Sequence, residues 1–253
     1  MIFEIGDIVV LFFVFIRTGA FFMAIPILSG DLIPGRYRIA LAFLVAAMID
    51  DFAVVNFTMG GHFVGIMLMA VNEVLIGLYM AFAVRLVFYI LEFAGHVIST
   101  SIGLMTSQSL NPLSGVSSTA VGSVLYYFGL LVFFIIGAHH KVLLAYSKSF
   151  EILPIGQSLL IVQTMDEFVK HTSTIFTVGT LIAAPFIALN FLINFTFAVL
   201  GKAAPKMNVF ITSFAVRILA GLTMLASSAA LIASYVIQQA DRSPMRLLNL
   251  IVH

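Results

Sequence analysis

Five charged side chains stand inside otherwise apolar runs of this 253-residue chain: Arg17, Glu73, Arg85, Glu92 and Arg217. A charge at the centre of a bilayer costs about 2.5–3.5 kcal/mol on insertion scales, so such residues pair, face water, or sit where lipid is absent. Two chemistries follow. One is an ion or proton pathway, which favours unpaired carboxylates or histidines. The other is a set of buried ion pairs within or between subunits. Arginine outnumbers glutamate here, three to two, and that favours buried ion pairs.

Other reactive groups give little. His139 and His140 are adjacent, so on a helix their side chains point about 100° apart and make a poor pair of metal ligands. No HExxH, GxSxG or Walker loop is present. The chain has no cysteine, which removes disulfides, thiolate catalysis and cysteine-based metal centres. The reading is a protein that is not an enzyme, with no cofactor and no metal site.

The elements that must hold these charges are set by composition. Hydrophobic residues make up 62% of the chain and charged residues 9%, against about 45–50% and about 25% in soluble domains. Too few charges remain to coat a soluble surface, and a net charge of +1 offers nothing to nucleic acid. The fold class is therefore all-α, a polytopic membrane protein. The acidic start, with Glu4 and Asp7, lacks the basic region of a secretory signal, so the first helix is expected to be retained.

About 20 apolar helical residues cross a bilayer. Residues 8–28 meet that length, and Pro34-Gly35 separates them from a short run, 39–49, closed by Asp50 and Asp51. Residues 63–105 are too long for one perpendicular span and predict either two helices or one bent helix. Residues 119–138 form a span ending at His139-His140-Lys141, and Leu153-Pro154-Ile155-Gly156 divides 142–171 into two short helices. Residues 174–200 are apolar but interrupted by Pro185, Asn190 and Asn194; 201–208 form a basic hairpin loop, and 209–237 a last long run before a mixed tail. Gly61 and Gly65 give a weak GxxxG packing signal.

With six crossings, the loop holding Arg36 and Arg38 and the loop holding Lys202 and Lys206 share one side. The positive-inside rule makes that side cytoplasmic and puts both termini outside. Lys141, Lys148, Lys170, Arg242 and Arg246 weigh against it. Residues 106–118 carry no charge, yet hold Pro112 and Gly115. They read either as a short polar turn or as a loop inside a pore, because non-helical backbone at membrane depth is tolerated only where it is buried in protein or lines water.

Four stretches together resemble the FliR family of flagellar export proteins, which is related to the SctT proteins of virulence type III secretion. They are Arg17 through Pro26-Ile27-Leu28-Ser29 to Ile33-Pro34-Gly35-Arg36; Glu73-Val74-Leu75-Ile76-Gly77 through Phe93-Ala94-Gly95 to Gly103; Gly137 and His139 to Phe150 and Leu153-Pro154-Ile155-Gly156; and Ala184-Pro185 to Ala204-Pro205-Lys206-Met207-Asn208-Val209-Phe210 and Phe214. The last stretch is the most specific and looks more like the flagellar branch.

The resemblance implies a subunit of the flagellar type III protein-export gate. Such a subunit passes unfolded flagellar proteins across the bacterial inner membrane as part of the flagellar basal body. It implies FliP-like and FliQ-like membrane partners and an FlhB-like protein at the cytoplasmic base. It implies a FliP-like region, 1–173, a FliQ-like hairpin with the tail, 174–253, and hairpins of long and broken helices packed in a helical assembly. The loop 106–118 corresponds to the family's channel plug, shaped by Leu110, Asn111, Pro112 and Gly115. Lys202, Pro205, Lys206, Met207 and Asn208 become cytoplasmic contacts. The chain departs from the family pattern in three places: Asn111-Pro112 replaces a frequent Asp-Pro, His96 stands where Glu is common, and Ala215 where Pro usually follows the Phe. Two rival readings stand beside it: a virulence type III secretion gate subunit of the same architecture, and a stand-alone secondary transporter of a small solute, with the buried charges as its binding site. The transporter would be supported by two related halves with discontinuous helices, which the sequence does not display.

Overall fold

The computed structural model describes residues 5–26, 28, 33–49, 63–105, 119–156, 161–204 and 208–252. Among the described residues the chain is seven helices: α1 (Ile5–Ala24), α2 (Gly35–Ile49), α3 (Phe63–Ser101), α4 (Ala120–Ile135), α5 (Ala138–Ile152), α6 (Ile161–Ala203) and α7 (Val209–Val252). It is an all-α polytopic membrane protein with no soluble domain among the described residues.

Local chemistry sets the helix ends. α1 stops just before Pro26, which lacks the N–H a further turn needs. α3 closes in a Schellman motif: Gly103 adopts φ +86°, its N–H bonds Thr100 O at 3.2 Å, and the Leu104 N–H bonds Ser99 O at 3.0 Å. Thr119 caps α4, its Oγ1 accepting the Gly122 N–H at 3.1 Å. Gly137, at φ +67°, separates α4 from α5. Asn208 caps α7 through Oδ1, which accepts the Ile211 N–H at 3.3 Å.

Several boundaries differ from the sequence expectation. Residues 63–101 form one 39-residue helix, because the apolar run contains neither a proline nor a left-handed glycine before Gly103. Residues 161–171 do not form a separate short helix but run directly into α6, which continues through Pro185 for 43 residues in all. A proline removes one helical hydrogen bond, and the long flanking turns carry the helix across it. The mixed tail continues α7 to 44 residues.

The count of crossings also changes. Among the described residues three helices are long and apolar enough to span a bilayer: Phe63–Ser101, Phe168–Ala203 and Val209–Asp241. A fourth span is reached if the broken pair α4–α5 is one crossing, and the apolar part of α1, Ile8–Ala24, is shorter. The six crossings behind the charge-based orientation exceed the three or four that length and composition support among the described residues.

The chain divides into two compact units. One comprises Met1–Leu86, Phe134–His171 and Gln239–His253. Here Phe15 of α1 meets Phe43 of α2 edge-on at 5.8 Å, Phe21 of α1 stacks on Tyr146 of α5 at 4.4 Å, and Phe82 of α3 stacks on Phe168 at 4.5 Å. An exposed ion pair, Lys141–Asp241 at 2.6 Å, joins α5 to α7. The other unit comprises Val87–Phe133 and Thr172–Gln238. In it the second half of α3 packs on α4 at Gly95 and Gly122 and on α6 where Phe93 meets Phe176 at 5.2 Å, and Ile102, just past its end, meets Gly221 of α7.

Candidate functional site

The first unit is organised around Arg17, a fully buried arginine on an otherwise apolar helix. Its Nε donates to Glu73 Oε2 at 2.5 Å, and both side chains are shielded from solvent. Its Nη1 donates to the Leu153 carbonyl at 3.1 Å, and its guanidinium lies 4.3 Å from the centre of the Phe150 ring. One side chain thus ties α1 to α3, to α5 and to the turn after α5. A buried ion needs this much compensation, since removing two charges from water costs several kcal/mol each before any attraction is counted.

Neighbouring contacts fix the arginine's direction. Thr18 Oγ1 donates to the Val14 carbonyl at 2.7 Å and receives the Tyr146 hydroxyl at 2.9 Å. Tyr146 in turn meets Phe150 edge-on at 5.5 Å. Gly77 lies one turn beyond Glu73 on the same face of α3. A Cβ there would collide with the Arg17 carbonyl and lie 2.9 Å from Ala20 Cβ, so α1 crosses α3 where the latter has no side chain. Two polar atoms of the cluster, Arg17 Nη2 and Glu73 Oε1, are buried without a hydrogen-bond partner among the described residues.

The remaining charges do not join this pair. Arg85 is half-buried on α3. Glu92 is exposed on the surface of the chain and is not a buried group within it. Arg217 is half-buried on α7; its Nη2 is 3.4 Å from Ser213 Oγ, while its Nε is buried with no hydrogen-bond partner among the described residues. Glu92 and Arg217 are also far apart. Ile102, just past the end of α3, is level with Gly221 of α7, and Leu91 and Val236 flank the same Gly129, so the two helices run antiparallel. At about 1.5 Å per residue, Glu92 and Arg217 are displaced by roughly 20 Å along the helices.

The plug residues Leu110, Asn111, Pro112 and Gly115 lie outside the described residues, as do Pro205, Lys206 and Met207. Lys202 is exposed in the last turn of α6, and Asn208 opens α7 as its cap. His139 and His140 stack at 4.0 Å, and no group of three His, Asp or Glu side chains converges among the described residues. Among the described residues nothing lies within 4 Å of a would-be Cβ on Gly65, and Gly61 lies outside them.

Residues 8–243 match the family model of bacterial export proteins, family 1. The chain is 31% identical over 220 residues to the flagellar biosynthetic protein FliR of Caulobacter vibrioides, covering 85% of this chain and 86% of that one. The chain belongs to the FliR family of bacterial export proteins. It is also 26% identical over 224 residues to FliR of Escherichia coli, covering 88% and 85% of the two chains. With FliR of Bacillus subtilis it shares 26% identity over 221 residues, covering 84% and 83%. All five internal charges and the loop at 106–118 fall within the matched 8–243.

Sequence reasoning singled out Arg17 and Glu73 but not their supports. Thr18, Tyr146 and the Leu153 carbonyl carry no signal of their own, because a tyrosine or threonine in an apolar helix reads as ordinary packing. The spacing of Glu73 and Gly77 was the available signal: a charge and a glycine one turn apart place a partner's backbone beside a partner's charge.

Proposed function

We propose that the chain is a non-enzymatic subunit of the flagellar type III export gate. It forms part of the passage that carries unfolded flagellar proteins across the bacterial inner membrane. The observation that carries this reading is the family match over 8–243, with FliR relatives aligned along most of their own length. The helices add support. The spanning windows of α6 and α7 are only 17% and 11% buried within the chain, whereas that of α3 is 67% buried. Long helices left that open in their own chain suit a subunit that packs among others.

In this reading the Arg17–Glu73 cluster holds the FliP-like region together, and α6 with α7 forms the FliQ-like hairpin. The tip from Lys202 to Asn208 meets an FlhB-like protein at the cytoplasmic base, and the loop at 106–118 plugs the passage before export. Glu92 and Arg217 lie on surfaces that neighbouring subunits or the water of the passage cover. The test is purification in mild detergent followed by native mass spectrometry. A complex holding several FliP-like and FliQ-like chains per copy is expected. A solitary chain that binds a small solute would overturn the gate in favour of a transporter.

A further inference from the structure

The second half of α3 has two unlike faces. Along residues 87–101 the exposed positions are Glu92, His96 and Thr100, spaced by one helical turn, with half-buried Tyr89 extending the row. The positions between them are mostly apolar: Leu91, Ala94 and Ile98 are fully buried, in a stretch that packs on α4, α6 and α7. Thr100 Oγ1 donates to the His96 carbonyl at 2.9 Å, so its hydroxyl lies along the row. The open face of this stretch is thus a continuous polar ladder of phenol, carboxylate, imidazole and hydroxyl.

Within the same unit α6 and α7 expose Lys202 and scattered hydroxyls and amides but no carboxylate or histidine, and most of their large exposed side chains are apolar. α6 exposes Phe176, Leu181 and Phe191, and α7 exposes Leu219 and Leu231. Such surfaces suit lipid or the dry centre of a subunit contact. The ladder suits neither. Carboxylates and histidines on membrane helices face the bundle interior or a water-filled cavity, and the buried centre of a protein interface is depleted in charge.

We propose that the face of α3 bearing Tyr89, Glu92, His96 and Thr100 lines the aqueous passage of the assembled gate and touches the unfolded polypeptide in transit. This rests on the gate reading above. A wet polar face offers short-lived hydrogen bonds to any main chain and no apolar pocket for a hydrophobic segment to lodge in. That chemistry suits a surface past which many different unfolded sequences must slide.

The cysteine-free sequence gives a clean background for the test. Single variants Glu92→Cys, His96→Cys and Thr100→Cys are compared with Ala94→Cys and Ile98→Cys. Each is placed in the assembled complex in native membranes and treated with the membrane-impermeant thiol reagent methanethiosulfonate ethyltrimethylammonium. Positions 92, 96 and 100 should react roughly tenfold faster than 94 and 98, because thiol reactivity follows exposure. An export substrate stalled in the gate should slow labelling at 92, 96 and 100. Co-purification of FliP-like and FliQ-like chains is read on the same samples. Absence of partners would overturn the gate reading itself. Intact complexes in which the three positions stay unlabelled, or label equally with a stalled substrate present, would overturn the passage-lining face while leaving the gate reading standing.

Discussion

Nε of Arg17 lies 2.5 Å from Oε2 of Glu73, and neither side chain reaches solvent. The pair joins α1 to α3 across 56 residues of sequence. Removing one partner of a buried ion pair strands the other and costs about 3–5 kcal/mol, whereas replacing both by apolar groups is often neutral. Glu73→Ala is therefore expected to lower the melting temperature of the detergent-solubilised chain sharply. The double variant Arg17→Met with Glu73→Leu should recover most of the loss. Recovery stays incomplete because the Leu153 carbonyl loses the Nη1 donor, worth about 1–3 kcal/mol when buried. Equal losses in single and double variants would show that apolar packing cannot replace the pair.

Gly77 and Gly65 lie on the same helix and give opposite expectations. A Cβ at position 77 meets the Arg17 backbone and Ala20, so Gly77→Ala should cost about 1–3 kcal/mol through overpacking. A Cβ at Gly65 meets nothing among the described residues, so Gly65→Ala should leave the stability of the chain unchanged or raise it by up to about 1 kcal/mol through helix propensity. Thermal melts of the two variants side by side check the contrast. A Gly65→Ala variant of unchanged stability that fails to assemble would place a neighbouring subunit on that face.

These contrasts show what the sequence carried. The cost of a charge in lipid is paid by any sequence, so Arg17 and Glu73 stood out from composition alone. Their pairing was not legible, because nothing in the spacing of residues 17 and 73 says which of five charges will meet. Glu92 and Arg217 looked the same in sequence and turned out to sit on open or half-open surfaces. The start of α7 after Asn208 was legible from the turn residues before it, whereas α1 ends at Ala24, short of the expected 28, because Pro26 cannot donate the N–H of a further turn. Pro185 misled because a long helix with strong flanking turns absorbs one missing hydrogen bond. The join between residues 161–171 and α6 was hidden by their polar composition, which resembles an interfacial segment yet continues the same helix.

Arg217 is the second charge with a measurable consequence. Its contact to Ser213 is long at 3.4 Å, its Nε has no hydrogen-bond partner among the described residues, and Glu92 is too far along the bundle to serve. Replacing it with Leu removes a half-buried charge without breaking an ion pair seen inside the chain. Arg217→Leu should change the stability of the isolated chain by less than about 1 kcal/mol. In the gate it should lower recovery of the complex, since a neighbouring acceptor loses its donor. The comparison of chain melting temperature with complex yield from native mass spectrometry reads both. A variant that assembles at full yield would leave Arg217 without a role in subunit pairing.

Deleting residues 110–115 tests the plug, and the surrounding helices make the deletion tolerable. The Schellman end of α3 at Gly103 and the Thr119 cap of α4 bracket the loop. α3 and α4 run antiparallel, with Gly95 against Gly122 and Leu91 against Gly129. From the Gly95–Gly122 contact, even with residues 102–105 counted at the full helical rise, Met105 lies at most about 15 Å toward the loop end and Thr119 about 4.5 Å, an offset of at most about 10 Å. Adding about 8–10 Å between packed helix axes leaves roughly 15 Å to bridge. Residues 106–109 and 116–118 remain after the deletion, and seven residues reach about 23 Å when extended. The shortened loop can therefore close without moving α3 or α4. Assembly should persist while ion conductance through the resting gate rises, measured as leak current in planar bilayers. An intact complex with unchanged resting conductance would remove the plug assignment, and a complex that no longer forms would instead make the loop part of the subunit contacts.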